Sequence, residues 1–171
     1  MTVPARTFPY AEANMFFRAM RRMAGWRPVS WLYARVLPPI DCFVSRITGH
    51  KMTFAGLVSG LPVLLLTTTG ARTGAQRTQP VLYLREGDGF VLIASNWGQA
   101  HNPSWYYNLR ANTNAEVTVS GSTYEVITRE VTGSQRDRYW QQGCLMYPAW
   151  NVYKKRSPHR PFPVMILSRA A

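Results

Sequence analysis

The sequence predicts an α+β protein: a closed or split β-barrel of about six mostly antiparallel strands with inserted helices, preceded by a helical N-terminal segment. Three observations predict it. Residues 1–60 carry apolar side chains at helical spacing and almost no alternating pattern. From Leu61 onward, short β-compatible runs are separated by glycine turns. Those runs come in pairs with helices between the pairs rather than after every strand, which argues against a doubly wound parallel sheet. At 171 residues the chain supplies one ordinary domain and is too short for two. The expected organisation is a segment over residues 1–60, packed on or preceding a barrel over residues 61–171.

Each element has its own signal. Over residues 9–24, Ala13, Phe16, Phe17, Met20 and Met23 gather on one side of a helix, with Arg18, Arg21 and Arg22 opposite. Gly25 and Pro28 bracket its end. Residues 30–37 predict a second short helix stopped by Pro38 and Pro39, and residues 40–48 a third ended near Gly49. Residues 61–69 are the first strand, stopped at Gly70. Residues 80–85 and 90–95 form a hairpin around Gly87-Asp88-Gly89. Asn102, a good N-cap, opens a helix to about residue 111, with Pro103 tolerated in its first turn. Residues 116–120 and 123–130 pair around Gly121-Ser122. Helices over residues 134–146 and 147–155 lead to a last strand, 163–167.

Composition narrows the function classes. The uncharged stretch from Met52 to Ala71 is broken by Ser59, Gly60, Pro62 and a threonine cluster, so no membrane span is predicted. No secretory signal pattern opens the chain, and Cys42 and Cys144 read as buried free thiols, which together predict a cytoplasmic location. Twenty Lys and Arg against eight Asp and Glu leave a net charge of +12. The excess is shared about equally by residues 1–60 and the remainder. Nucleic acid, an anionic membrane surface or a polyanionic small ligand would each answer it. Nucleic acid is not expected, because the basic residues form no dense stripe interleaved with aromatics. No metal site is predicted either: His50, His101 and His159 stand far apart, without ligand spacing. No serine sits in a nucleophile elbow and no carboxylates pair, so a cofactor is expected to carry the chemistry.

Three constellations remain. Gly70-Ala71-Arg72-Thr73-Gly74, followed by Arg77, places a glycine-flanked turn and two guanidinium forks after a strand, a geometry suited to phosphate or carboxylate. A solvated surface turn is an equally good reading. Ala94-Ser95-Asn96-Trp97-Gly98, with Asn102 and Trp105 at the next helix, would present hydrogen-bonding groups and a helix N-terminus to a flat heterocycle. The plainer reading has Asn102 capping and Trp105 packing. Tyr147, Trp150 and Tyr153 recur every third residue, as a face over a planar substrate or as a packed aromatic stripe.

These residues resemble a known family. Residues 65–74, Arg77, Ala94-Ser95, the run from Asn102 to Leu109, Tyr139-Trp140 and Met146-Tyr147-Pro148 are similar to the deazaflavin-dependent nitroreductases, in unbroken order over roughly residues 60 to 168. The resemblance implies a split β-barrel related to the flavin-binding pyridoxamine-oxidase barrels. It implies coenzyme F420, a deazaflavin with a phosphate, lactate and oligoglutamate tail, in an actinobacterial setting. Arg72, Thr73, Gly74 and Arg77 would hold the tail. Ala94, Ser95, Asn96, Trp97 and Gly98, with Pro80 and Val81 opposite and Asn102 and Trp105 beside them, would frame the ring. Ser95, Tyr147, Trp150 and Tyr153 would meet the substrate, with Tyr147 or Ser95 donating a hydrogen bond or proton. Asn96-Trp97-Gly98 stands where the family often carries a lysine and paired glycines, and Trp150 stands for a tyrosine. Quinones and nitroaromatics therefore both remain as acceptors. The alternatives are an FMN- or haem-binding barrel in the same groove, and a non-enzymatic basic module bound to a membrane surface through its N-terminal helix.

Overall fold

In the computed structural model, residues 9–170 are described; the first eight residues of the helical segment, part of the stretch read for a secretory signal, and Ala171 lie outside them. A short 3-10 turn, Tyr10–Glu12, precedes α1 (Met15–Met23), α2 (Arg27–Ile47) and α3 (Phe54–Ser59). The barrel follows as β1 (Val63–Thr69), β2 (Gln76–Glu86), β3 (Gly89–Ile93), α4 (Ser104–Ala111), β4 (Asn114–Val119), β5 (Ser122–Val131), α5 (Gly133–Met146), α6 (Ala149–Arg156) and β6 (Val164–Arg169). The six strands close in the order β1-β2-β3-β6-β5-β4, every neighbouring pair antiparallel.

Alternation along the strands sorts the core into two layers. Leu64 and Leu66 of β1, Tyr83 of β2, Leu92 of β3 and Leu167 of β6 fill the barrel with Trp105 and Leu109 of α4. Leu84, Val91, Ile93, Val164 and Ile166 face the other way and pack with Tyr139, Tyr147, Trp150 and Tyr153. Ala24 and Leu61 belong to this second layer, so the N-terminal helices share its core. Gly143 permits the packing: a Cβ there would collide with the Trp150 ring and Ile93.

Three expectations for the N-terminal segment are corrected. Residues 30–37 and 40–48 are not two helices; α2 runs unbroken through Pro38 and Pro39. Its inward residues stand on both sides of the proline pair, and packing against α3 and β2 outweighs the two backbone hydrogen bonds that prolines cannot make. α3, where the sequence predicts no element, is capped by Thr53, whose side chain accepts the Gly56 N–H, and ends at left-handed Gly60. In α1, Arg21 turns inward and is buried, while Phe16 and Met23 face solvent.

The barrel boundaries shift by a few residues. β2 begins at Gln76 and not residue 80, because it pairs along all of β1, from Val63↔Leu82 to Thr69↔Gln76. β3 stops at Ile93, so Ser95 lies in a loop. Both cysteines are half-buried free thiols, not fully buried ones, and desolvation pushes Cys144 up to about 11. Among the described residues no helix is long and apolar enough to cross a membrane.

Candidate functional site

A cavity of about 430 Å³ lies between the barrel and the N-terminal helices. Pro80 and Val81 of β2 form one wall, Ser95, Asn96 and Trp97 a second, and Tyr147, Trp150 and Tyr153 its floor. Trp105 lines it from α4, and Tyr33, Leu37, Asp41 and Val58 close it from α2 and α3. Nine residues that the sequence singled out over a span of about seventy positions thus meet in one place.

The loop after β3 shows why the polar groups point where they do. Asn96, Trp97 and Gly98 all carry left-handed backbones, with φ of 46°, 55° and 73°. Such conformations cost a non-glycine residue about 1–3 kcal/mol and persist only where the surroundings impose them. Arg160 imposes this one. Its guanidinium donates to the Ala94 carbonyl at 3.0 Å, the Ser95 carbonyl at 2.6 Å and Asn102 Oδ1 at 2.5 Å, and lies 4.1 Å from the Phe162 ring centroid. Burial draws its pKa down to about 10, which leaves it charged at neutral pH. Nothing near it in sequence announces this role, since its acceptors lie 58 to 66 positions away.

Arg160 also overturns the expected N-cap. Asn102 spends its side-chain oxygen on the guanidinium; Pro103 occupies the cap position of α4, with no side-chain cap. Ala94 is fully buried in the barrel core, and neither it, Gly98 nor Asn102 lines the cavity. Gly98 has a packing reason instead: a Cβ there would press on the Tyr153 ring at 3.0 Å.

The aromatic stripe is both core and lining. Tyr147 caps the end of α5, so only Trp150 and Tyr153 share a helix, and all three are almost fully buried. Tyr153 donates to the Ala24 carbonyl at 2.9 Å, which spends its proton. In the 3.1 Å contact between the two phenols Tyr147 must therefore donate to Tyr153. Desolvation raises Tyr147 well above the ordinary phenol value and Tyr153 to about 12, so both stay protonated. Trp150 Nε1 donates to Ser95 Oγ at 3.0 Å. An indole N–H only donates, so the serine proton remains available; no described residue accepts it. Ser95 is thus an oriented hydroxyl at the cavity wall.

Two polar groups tie the helical layer together: Asp41, which nothing in the sequence singles out, and Arg21, expected with Arg18 and Arg22 on the polar side of its helix. Asp41, 2% exposed, accepts the Ala55 N–H at 2.7 Å and holds the start of α3; burial raises its carboxyl above the usual carboxylate range. Arg21 donates to the carbonyls of Ser59, Gly60 and Met146, tying α1 to α3 and α5.

Arg72, Thr73, Gly74 and Arg77 lie outside the cavity, the first three on the exposed turn between β1 and β2 and Arg77 exposed at the start of β2. The expected cradle of backbone N–H groups is mostly spent internally: Gly70 donates to Ala75, Gly74 to Gly70, Ala75 to Thr73 Oγ1, and Ala71 to Asn108 Oδ1. Asn108, anchored on Thr68 Oγ1 at 2.9 Å, fixes the turn from α4. What remains for an anion is the pair of guanidiniums, which appear in none of the three ion pairs found among the described residues. A deazaflavin has a flat, largely apolar ring and a multiply negative tail, and the site offers a part for each. The apolar cavity suits the ring, and β2 leads from Val81 to Arg77 over about 13 Å at strand rise. Among the described residues no group of three or more His, Cys, Asp or Glu is placed to hold a metal ion.

Comparison with known proteins gives this geometry its context. An F420H(2)-dependent quinone reductase of Mycobacterium tuberculosis is 37% identical over 127 residues, covering 71% of this chain and 79% of the relative. A solved structure described as an F420-H2 dependent reductase superposes with a TM-score of 0.58 at 31% identity, over 63% of this chain and 94% of that one. A second, described as a domain-swapped dimer, gives a TM-score of 0.60 at 28% identity, over 82% and 99%. Residues 42–169, the last part of α2 and the whole barrel, match the family description F420H(2)-dependent quinone reductase. With the apolar cavity and free arginine pair in place, this match is decisive: the chain belongs to the F420H(2)-dependent quinone reductase family.

Proposed function

We propose that the cavity is where this oxidoreductase binds the F420 ring and passes two electrons to a quinone or a similarly electron-poor small molecule. When bound, reduced F420 supplies a hydride from C5 of its ring. The chain's own work is placement and charge control. Pro80 and Val81 on one side and Asn96 and Trp97 on the other hold the ring, while Arg72 and Arg77 neutralise the tail. Thr73 and Gly74 shape the turn between those arginines. The apolar walls exclude water from the reacting face.

The observation that carries the reading is the Ser95 hydroxyl, fixed by Trp150 with its proton uncommitted. It is placed to donate to the oxygen of an acceptor as negative charge develops there. Tyr147 can take that part only by exchanging its bond to Tyr153, so Ser95 is the first donor and Tyr147 the second. Trp150 acts through Ser95, and Tyr153 through Tyr147. Two arginines favour a multiply charged tail over the single phosphate of FMN. A cytoplasmic enzyme held peripherally at an anionic inner-membrane surface belongs to the same proposal, supported by the basic N-terminal helices.

Fluorescence titration with F420 and with FMN, followed by oxidation of reduced F420 with a quinone, tests it. F420 is expected to bind more tightly than FMN. Arg72→Ala with Arg77→Ala should weaken F420 at least about ten-fold and flatten the salt dependence. A double variant that binds as tightly as the parent would remove the tail assignment. Absence of F420 binding by the parent would remove the cavity assignment.

A further inference from the structure

We infer that the outward face of α2 is a docking surface for an anionic lipid bilayer. This deepens the peripheral-membrane part of the reading above; it depends on the enzymatic part only for where the acceptor comes from.

α2 is amphipathic in an unusual sense. Its inner side, with Ala34, Leu37, Pro38 and Asp41, walls the cavity. Its outer side is not the charged face that a helix packed on a soluble core normally shows. Leu32, Val36, Phe43 and Ile47 follow one another at intervals of four, seven and four residues, with Pro39 between, and therefore form one stripe along the helix. They are 49%, 40%, 64% and 68% exposed. From Leu32 to Ile47 the stripe runs about 22 Å along the helix, which exceeds a scattering of single exposed residues.

Charge selects the occupant. Arg35 and Arg46 flank the stripe, and Arg18, Arg22, Arg27 and Lys51 are exposed on the same helical layer. Against these six the layer's described residues set Glu12 as the one exposed carboxylate, since Asp41 is buried. A second copy docking through the same face would bring like charges together, which opposes self-association. An anionic bilayer meets both requirements: headgroups for the arginines and acyl boundary for the stripe. Trp26 and Trp31, at the N-terminal end and 71% and 59% exposed, are the aromatic type that settles at headgroup depth. Docked this way, α2 separates the acceptor cavity from the bilayer by one helix diameter, so a lipid-dissolved quinone has a short path to it.

The test is flotation of the full chain with vesicles of phosphatidylcholine, alone and with about one-third phosphatidylglycerol. The expected result is binding to the anionic vesicles, little to the neutral ones, and loss of binding as salt is raised. Phe43→Asp with Ile47→Asp should lower partition about ten-fold or more. Neither residue lines the cavity, so turnover with a water-soluble short-chain quinone should be unchanged. Should that variant fail to fold, Arg35→Gln with Arg46→Gln must still lose most of the low-salt binding. Failure of the parent to float with anionic vesicles, or equal flotation by the folded variants, overturns the proposal. So does a parent dimer that the Asp pair dissociates, because the face would then join two copies. Flotation is read without F420 or quinone, so failure of docking and failure of the enzymatic reading are separate results.

Discussion

Ser95 and Trp150 show what one hydrogen bond decides. The indole N–H turns the serine oxygen into an acceptor and leaves its proton for the cavity, whereas the Tyr147 proton already belongs to Tyr153. Ser95→Ala should therefore lower kcat for quinone reduction by about 10²-fold, the usual cost of one aligned donor, with F420 affinity nearly intact. Tyr147→Phe should cost much less. Stopped-flow oxidation of reduced F420 by the two variants decides the order; a larger loss in Tyr147→Phe would make the phenol the donor. Trp150→Phe keeps most of the packing but frees the serine rotor, with about a ten-fold loss in kcat expected and about 1 kcal/mol in stability. In the sequence, Ser95, Arg72 and Arg77 were marked as candidates by a strand end and a glycine turn. Arg160, Asn108 and Asp41 were not. Each acts on partners brought near only by the closed barrel or the folded helical layer, and an isolated Arg, Asn or Asp in a chain carries no mark of that.

At the scale of elements, periodicity was a sound guide wherever burial is one-sided. The strands were found because barrel-facing and helix-facing residues alternate, and their ends were misplaced because pairing, not pattern, sets how far β2 follows β1. The sequence predicts two helices where α2 is one, because proline usually ends a helix. The chain accepts the defect since the inward residues on both sides of it are packed. Pro38 lines the cavity, but Pro39 is exposed, so Pro39→Ala restores a donor to the Arg35 carbonyl at little cost elsewhere. A rise in stability of about 1–3 kcal/mol is expected by urea denaturation. A fall would mean that the bend at Pro39 sets the cavity wall. Gly143→Ala tests the opposite case, a residue whose lack of a side chain is a packing requirement. Its methyl group would meet Trp150 and Ile93, and a loss of at least about 2 kcal/mol is expected, together with reduced turnover through the displaced indole. A silent substitution would show that α5 and α6 are more loosely joined than drawn.

For the whole molecule, the buried phenols make alkaline stability a readout of how the helical layer and barrel are joined. Tyr153 sits between them, bonded to Ala24 of the N-terminal segment and to Tyr147 at the end of α5. Its pKa of about 12 in the folded protein stands above the ordinary phenol value of about 10, and those of Tyr147 and Tyr83 are raised too, each mainly by burial. The unfolded chain loses these protons first. Their contribution is therefore complete below pH 10 and is lost as pH climbs through 12, roughly 2–3 kcal/mol for Tyr153 by the top of that window. General electrostatics has the opposite sign at first: with an isoelectric point near 10.4, raising pH toward it relieves the repulsion of a +12 chain. Urea midpoints between pH 9 and 12 separate the two, with a shallow rise expected before the decline. Tyr153→Phe should start lower, having lost its bond to Ala24, and then decline less steeply. If the helical layer and barrel unfold as one unit, tryptophan fluorescence and far-UV circular dichroism will give a single transition throughout, since Ala24, Leu61 and the Tyr147–Tyr153 pair share one core. Two separated transitions would make the N-terminal helices a detachable cover, and equal alkaline slopes in parent and variant would show that Tyr153 is not the joint.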